Sequence, residues 1–256
     1  MKLIFVGRED HLLHATVKKF IELGKEKGHI VKFCTLKEFM SADLKGYDVI
    51  CLKIGQFKQK VWDKLENYPD IRVVNNYTAT KAAENRILVN EVFEKVGMKI
   101  PAIARDLKEL EEIQYPIIVK SIDGQNHEMK TYHSRKELPK LNFFKKFYQE
   151  IIPNDGFDYK YYIVGDNVFC LQRPANQALS HLEKVHEKRV VFCVEYNLEK
   201  EILKLRKRFD LDIFGIDFLK HSETNEYYAI DLNLFPGFIG LPEAPSEWLK
   251  YIESLV

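Results

Sequence analysis

Two apolar segments near the C-terminus carry polar residues at alternate positions, and this pattern limits the folds open to the chain. The segment IFGIDFLKHS (213–222) is followed, after the polar ETNE turn, by YYAIDLNLF (227–235). Alternation with a period of two predicts a pair of adjacent strands. Asp231 and Asn233 then share one face of their strand, and Asp217 lies on the neighbouring strand. Because a carboxylate in an apolar setting is costly without a positive partner, the pattern predicts a cation at this face.

Oxygen ligands on adjacent strands suit one or two magnesium ions that are also bound by substrate phosphates. We therefore predict a metal site at Asp217, Asp231 and Asn233. Any one of the three, taken alone, is better explained as a capping or turn residue with its hydrogen bonds satisfied.

The first 78 residues alternate strand and helix patterns, which predicts a Rossmann-like α/β lobe around a parallel sheet. A helix over 81–96, capped by Thr78 or Thr80, is predicted to follow and to end at Gly97. Beyond it the pattern changes to hairpin-like strands, with a tight turn at Gly165 and Asp166, and a helix over 198–209. The fold class is therefore α/β with α+β character in the C-terminal part. We divide the chain into 1–78, 79–152 and 153–256.

Composition favours a globular protein, since 46% of the residues are hydrophobic and the formal net charge is +1. The charge is uneven: residues 1–80 carry 14 Lys and Arg against 10 Asp and Glu, and residues 161–256 carry 11 against 15. This is either ordinary surface scatter or the mark of an anionic ligand held between a basic and an acidic lobe. A strongly basic nucleic-acid binder is excluded.

The four cysteines are far apart and lack metal-binding spacing, which favours buried free thiols at Cys34, Cys51, Cys170 and Cys193. The opening MKLIFVG is too short and too soon followed by charges to predict a signal peptide, and no apolar stretch is long enough to span a bilayer. We therefore expect a cytoplasmic protein, and we separately expect a monomer.

Two further features suit a nucleotide. Lys120 ends the apolar strand PIIVK just before a glycine-containing loop, where it can reach phosphate oxygens. The segment QEIIP, 149–153, offers backbone groups to an adenine edge. A strand-end lysine and a short strand are also common on plain surfaces.

These segments together resemble the ATP-grasp enzymes. The order PIIVK, glycine loop, YQEII, FGID and DLNLFPG carries the resemblance, and the most specific segments are NHEM (126–129), 159–174 and 214–238. Within that superfamily the chain is most similar to the inositol 1,3,4-trisphosphate 5/6-kinases. The resemblance implies an ATP-grasp fold with an N-terminal lobe, a central lid subdomain and a C-terminal antiparallel-sheet subdomain.

The resemblance also implies roles for individual residues. Catalysis would involve Lys120, His127, Arg86 and Asp231. The residues that would contact ATP are Arg86, Lys120, Gln149, Glu150, Ile152 and Lys160. The residues that would hold the phosphorylated inositol are Arg8, Lys53, His127, Lys160, Arg173, Asn233 and Gly237. Two departures from the family pattern are a shorter loop between Lys120 and His127, and Ala175 where serine is common.

The residues themselves leave alternatives open. Lys53 could protect an edge strand, Lys160 and Arg173 could form local ion pairs with residues such as Asp158, and His127 could be a hydrogen-bonded loop residue. The predicted activity is transfer of the γ-phosphoryl group of ATP, with Mg²⁺, to a hydroxyl of an inositol phosphate. The rivals are a carboxylate-amine ligase on the same fold and a nucleotide-binding regulatory protein without turnover.

Overall fold

The computed structural model describes residues 1–55, 57–123, 129–174, 190–191 and 196–256. Three β-sheets follow one another along the chain, and helices pack on each of them. This mixed architecture agrees with the predicted fold class. Cys34, Cys51 and Cys170 are buried free thiols, as predicted, whereas Cys193 lies outside the described residues. Within the described ranges, the helices are too short or too polar to cross a bilayer.

The N-terminal sheet is parallel, with strand order β2-β1-β3-β4, as the alternating pattern predicts. Its strands are β1 (Lys2–Gly7), β2 (Ile30–Thr35), β3 (Val49–Leu52) and β4 (Arg72–Val74). The helices between them are a 3-10 turn (Glu9–Leu13), α1 (Ala15–Glu26), α2 (Leu36–Ser41) and α3 (Gln59–Leu65). In a parallel sheet all strands end at the same edge, so the loop after β1 and Lys53 after β3 lie on the same side of the lobe.

The predicted single helix over 81–96 is wrong, because two helices occupy this region. They are α4 (Tyr77–Ala83) and α5 (Arg86–Val96). Asn76 caps α4 by accepting from the Ala79 N–H, and Asn85 caps α5 by accepting from the N–H groups of its second and third residues. An asparagine that bonds the following turn stops one helix and starts the next. This break places Arg86 at the first position of α5.

The central sheet is antiparallel, with strand order β5-β8-β6-β7. Its elements are β5 (Ile103–Ala104), α6 (Leu107–Glu112), β6 (Ile117–Ser121), β7 (Lys130–Tyr132), a 3-10 turn (Arg135–Glu137) and β8 (Lys146–Glu150). A small core around Leu110, Ile117 and Tyr148 joins α6 to the sheet. Lys120 lies near the end of β6, as the sequence predicts.

The C-terminal sheet is antiparallel, with strand order β11-β10-β9-β12-β13. Its elements are β9 (Asn154–Val164), β10 (Asn167–Pro174), β11 (Val190–Val191), α7 (Tyr196–Phe209), β12 (Ile213–His221) and β13 (Tyr227–Leu234). The predicted hairpin at Gly165 and Asp166 is confirmed, and Gly165 has a φ of 58°, which favours glycine.

The two faces of this sheet differ, although Tyr162 and Val164 on the second face also join an apolar core, the one around Trp248. On one face Tyr161, Ile216 and Phe218 pack with α5 and α7 in a core that includes Phe93 and Leu205. The same core contains side chains of α4 and α5, so residues 77–96 pack on the C-terminal sheet. The opposite face carries the charged residues described below. The domain boundaries at 78 and 152 stay a prediction.

A last helix, α8 (Ala244–Glu253), returns to the N-terminal sheet. Its Trp248 is fully buried and its ring contacts the rings of Phe5 and Phe20 from the start of the chain. The same ring contacts Phe235 and Phe238, which follow β13. This aromatic cluster therefore fixes the end of β13, and with it Asp231 and Asn233, against the N-terminal lobe.

Candidate active site

One row of residues across the C-terminal sheet forms the centre of the candidate site. Lys160 on β9 is the register neighbour of Asp217 on β12, and Asp217 is the neighbour of Asp231 on β13. Asn233 lies two residues beyond Asp231 and pairs with Gly215. Since residues two apart on a strand share a face, the three predicted oxygen ligands lie on one face, with Lys160 beside them.

One of the predicted metal ligands, Asp217, already forms an ion pair with Lys160. The Nζ atom of Lys160 lies 2.6 Å from Oδ2 of Asp217, and both side chains are largely shielded from solvent. A charge-assisted contact of this kind holds both groups in place. A metal bound by Asp217 would take over this carboxylate and release the ammonium group of Lys160.

Arg86 connects Asp231 to the central sheet. Its Nε atom lies 3.8 Å from Oδ1 of Asp231, and one of its terminal nitrogens donates to the carbonyl of Ser121 at 2.6 Å. Arg86 holds this position because α5 begins there, after the Asn85 cap. The arginine thus bridges two sheets at the place where phosphate groups would lie between them.

Lys120 is more deeply buried than a strand-end lysine would suggest. Its residue is 8% exposed, and its Nζ atom donates to Oε1 of the buried Gln149 at 3.0 Å. Burial lowers the pKa of Lys120, and the carboxylate of Asp231 opposes that change. Burial likewise raises the pKa of Asp231, and Arg86 opposes it. Both groups hold charges that a bound nucleotide and cation would compensate.

The predicted adenine segment, residues 149–153, covers the end of β8 and the link to β9. The N–H groups of Glu150 and Ile151 already donate to the carbonyls of Ala102 and Pro116. Ile152 is buried, and its carbonyl accepts from the side chain of Asn154. The N–H groups of Glu150 and Ile151 are therefore already in use and leave no donor for an adenine edge at these two positions.

A cavity of about 360 Å³ lies between the end of β13 and the N-terminal lobe. Arg86, Asp231 and Asn233 line it on one side, and the loop after β3 lines it on the other, together with Glu84 and Asp123. The Glu84 carboxylate accepts a hydrogen bond from the N–H of Phe57 in that loop. Burial raises the pKa of Glu84. Sequence reasoning missed Glu84 because nothing in its local pattern indicates a partner 27 positions earlier.

The predicted acceptor residues are more dispersed. Lys53 is 9% exposed, and its Nζ atom donates to the carbonyl of Phe235, which follows β13. Burial lowers the pKa of Lys53 to about 8. Arg8 is exposed and pairs with Asp10 at 2.8 Å. The carbonyl of Gly237 accepts from the hydroxyl of Thr16 at 3.1 Å.

Arg173 forms the local ion pair that the sequence left open as an alternative. Its side chain contacts Asp158 at 3.0 Å across the β9–β10 hairpin. The structure thus brings together Lys120, Arg86, Lys160, Asp217, Asp231 and Asn233, whereas Arg8, Lys53 and Gly237 belong to the N-terminal side of the cleft. His127 lies outside the described residues.

The donor set fits a magnesium ion that also binds substrate phosphates. The described part of the chain contains no cluster of three or more His, Cys, Asp or Glu residues that would enclose a metal alone. Two carboxylates and one amide would leave several coordination positions for phosphate oxygens and water, as Mg²⁺ prefers.

Comparison with known proteins identifies the family. The model of the inositol 1,3,4-trisphosphate 5/6-kinase ATP-grasp domain matches residues 83–197 and 186–254, well over half of the chain. Inositol-tetrakisphosphate 1-kinase 1 of Arabidopsis thaliana is 23% identical, with 73% of each chain covered. Inositol-tetrakisphosphate 1-kinase 3 of Oryza sativa is 25% identical, covering 91% of this chain and 77% of the relative.

Solved structures agree on the fold. The macrocyclase MdnC of Microcystis aeruginosa, solved with its precursor peptide, aligns with a TM-score of 0.74 at 15% identity, covering 99% of this chain and 100% of that one. The D-alanine–D-alanine ligase of Bacillus anthracis aligns with a TM-score of 0.70 at 15% identity, covering 98% and 94%. The predicted ATP-grasp fold is confirmed, and the chain belongs to the inositol 1,3,4-trisphosphate 5/6-kinase family.

Proposed function

We propose that this protein is an ATP-dependent kinase that phosphorylates a hydroxyl of an inositol phosphate. The family match over 83–254 is the observation that carries the proposal. The row formed by Lys160, Asp217 and Asp231 supports it, because a phosphoryl-transfer site needs a place for a metal and phosphates between fixed cations.

In this proposal Lys120 and Arg86 bind the phosphates of ATP, and Gln149 holds Lys120 in position. Asp217, Asp231 and Asn233 would hold Mg²⁺, which when bound would neutralise phosphate charge. Glu150 and Ile152 lie at the border of the adenine site. Lys53, Lys160 and Arg173 face the acceptor, with Arg8, Gly237 and His127 as further candidates.

The acceptor hydroxyl oxygen forms a bond to the γ-phosphorus, and the bond from that phosphorus to the bridging oxygen of ADP breaks. The hydroxyl proton passes to solvent water, and ADP leaves. The protein's contribution is to align the two oxygens and to compensate the charge that spreads over the transferring group. No covalent intermediate on the protein is required.

A single experiment separates this activity from a carboxylate-amine ligase. Purified protein is incubated with ATP, Mg²⁺ and panels of inositol phosphates, amino acids and peptides, with and without hydroxylamine, and products are identified by mass. A kinase yields an inositol phosphate heavier by one phosphoryl group. An acyl phosphate would be trapped as a hydroxamate, and its detection with an amine-dependent consumption of ATP would contradict the proposal.

The same panel tests whether the protein turns over at all. A regulatory protein that only binds the nucleotide would release no ADP with any acceptor. We also propose a cytoplasmic monomer that binds no nucleic acid, and the near-neutral net charge supports the absence of nucleic-acid binding. Cell fractionation, sedimentation analysis and a nucleic-acid shift assay test these three points.

A further inference from the structure

Asp158 is an acidic residue on the charged face of the C-terminal sheet, where the acceptor is expected. It lies two residues before Lys160 on β9 and therefore shares its face. Its register neighbours are Arg173 on β10 and Leu219 on β12. An acid so close to the predicted acceptor cations works against binding of a phosphorylated substrate, so its presence requires an explanation.

The carboxylate of Asp158 is committed to Arg173. Both Nε and Nη2 of Arg173 donate to Oδ2 of Asp158, at 3.2 and 3.0 Å. The two side chains are only 16% and 14% exposed. A two-contact pair shielded from water is held more firmly than a surface ion pair. The positive charge of Arg173 is therefore compensated before an acceptor arrives.

The charge on Asp158 also extends to the centre of the site. Burial raises the pKa of Asp158, and Arg173 and then Lys160 oppose that change. The carboxylate thus interacts with Lys160 as well as with its direct partner. It lowers the positive potential along this edge of the site.

The other predicted acceptor cations differ in how far they are compensated. Arg8 is paired with Asp10. Lys160 is paired with Asp217, but it would be released when a metal takes that carboxylate. Lys53 has no carboxylate partner among the described residues, since its amine donates to a backbone carbonyl. In the described part of the site, Lys53 and Lys160 are therefore the cations left for the acceptor.

Resting on the kinase function proposed above, we propose that Asp158 is a specificity residue that restricts the acceptor to inositols with one or two phosphate groups. Each phosphate monoester carries about 1.5 to 2 negative charges near neutral pH. Within the described residues, Lys53 and the Lys160 that a metal would release match one or two such groups. A third or fourth group would lie near Arg173, whose charge Asp158 has already compensated.

The test ranks kcat/KM for inositol mono-, bis-, tris- and tetrakisphosphates in the wild type and in Asp158→Asn. The asparagine keeps the size and an oxygen for Arg173 but removes the charge. We expect the wild type to prefer the mono- or bisphosphate. In Asp158→Asn, kcat/KM for the tetrakisphosphate relative to the monophosphate should rise about tenfold, the scale of one gained charge-assisted contact.

The change should appear in KM for the tetrakisphosphate rather than in kcat, because Arg173 would bind the ground state and the transition state alike. A merely structural role of Asp158 would lower activity with all acceptors equally. Asp166→Asn is the matched control. Asp166 lies in the turn of the same hairpin and also pairs with an arginine, Arg206 at 2.9 Å, and its loss should leave the ranking unchanged.

Three outcomes would overturn the inference. A wild type that uses the tetrakisphosphate as well as or better than the monophosphate would contradict the inference but not the kinase function. This measurement uses the wild type alone, so it does not depend on the folding of a variant. An unchanged ranking in folded Asp158→Asn also removes it. Failure to phosphorylate any inositol phosphate would remove the proposed function and the inference together.

Discussion

The two ends of the candidate site hold their positive charges in different ways. At the nucleotide end Arg86 has a carboxylate neighbour, Asp231, and Lys160, where this end meets the acceptor, is paired with Asp217. At the acceptor end Lys53 is nearly as buried as Lys120, yet within the described ranges its amine has only a carbonyl partner, and its pKa falls to about 8. At the nucleotide end, the positive side chains are therefore already placed next to carboxylates. At the acceptor end, the amine of Lys53 has no direct carboxylate contact within the described residues, and a bound anion would stabilise its charge.

The largest expected effect comes from removing the acid at the nucleotide end. Asp231→Asn should fold normally and lose about 100- to 1,000-fold in kcat, the cost of one misplaced transition-state contact. Steady-state kinetics with saturating ATP and acceptor measures this, with circular dichroism to verify the fold. Asp166→Asn serves as control for the lost charge. Activity within a few-fold of the wild type would show that Asp231 holds no essential cation.

Lys120→Met should weaken ATP binding by about tenfold or more, because one buried charge-assisted contact to phosphate is lost. Since the lysine is buried and its pKa is lowered by that burial, the melting temperature should not fall. Calorimetric titration with ATP and a thermal melt measure the two effects. Lys130→Met, an exposed lysine on the adjacent strand β7, is the matched control. An unaltered dissociation constant in Lys120→Met would contradict this assignment.

The acceptor end is tested by pH. If the protonated amine of Lys53 binds acceptor phosphate, kcat/KM for the acceptor should fall as the pH rises through about 8, since this parameter reports the free enzyme. The decrease should reach about tenfold one unit above that pKa. In Lys53→Arg the side chain stays charged, so this loss should disappear between pH 7 and 10. A profile that is the same in both proteins would exclude Lys53 from acceptor binding.

The smallest effect is that of salt. Charge-assisted contacts with the acceptor are screened at high ionic strength, so KM for the acceptor should rise a few-fold between about 0.05 and 0.5 M salt. The ion pair of Lys160 and Asp217 is shielded from solvent, so kcat should change less. Parallel titrations with sodium chloride and potassium acetate control for specific ions. A KM independent of salt would argue against a multiply charged acceptor.

Much of the C-terminal sheet could be predicted because its chemistry is local in the sequence. Alternation placed Asp231 and Asn233 on one face, and the hairpin signal at Gly165 fixed the β9–β10 register. Those are period-two and turn effects that act within a few residues. The same rules could not distinguish one helix from two over 77–96. The outcome depends on which residues cap the helices, and the caps are Asn76 and Asn85 rather than Thr78 or Thr80.

Long-range partners escaped sequence reasoning for a physical reason. Glu84 meets Phe57, and Lys53 meets the carbonyl of Phe235, only because the lobes pack together. The burial of Lys120 likewise depends on Gln149 from a different strand. A sequence pattern reports the face on which a side chain lies, but not how deeply the neighbouring elements cover it. The functional roles of these site residues stay predictions until the variants above are measured.

Because Trp248 contacts Phe5 and Phe20, the N-terminal lobe stays incomplete until the end of synthesis. The residues that cover one side of the N-terminal sheet leave the ribosome only after the whole C-terminal sheet has been made. Until then a growing chain carries an exposed aromatic surface, open to chaperones and to other nascent chains. A truncation before Ala244 should therefore yield an aggregation-prone product even though every residue of the nucleotide end is present.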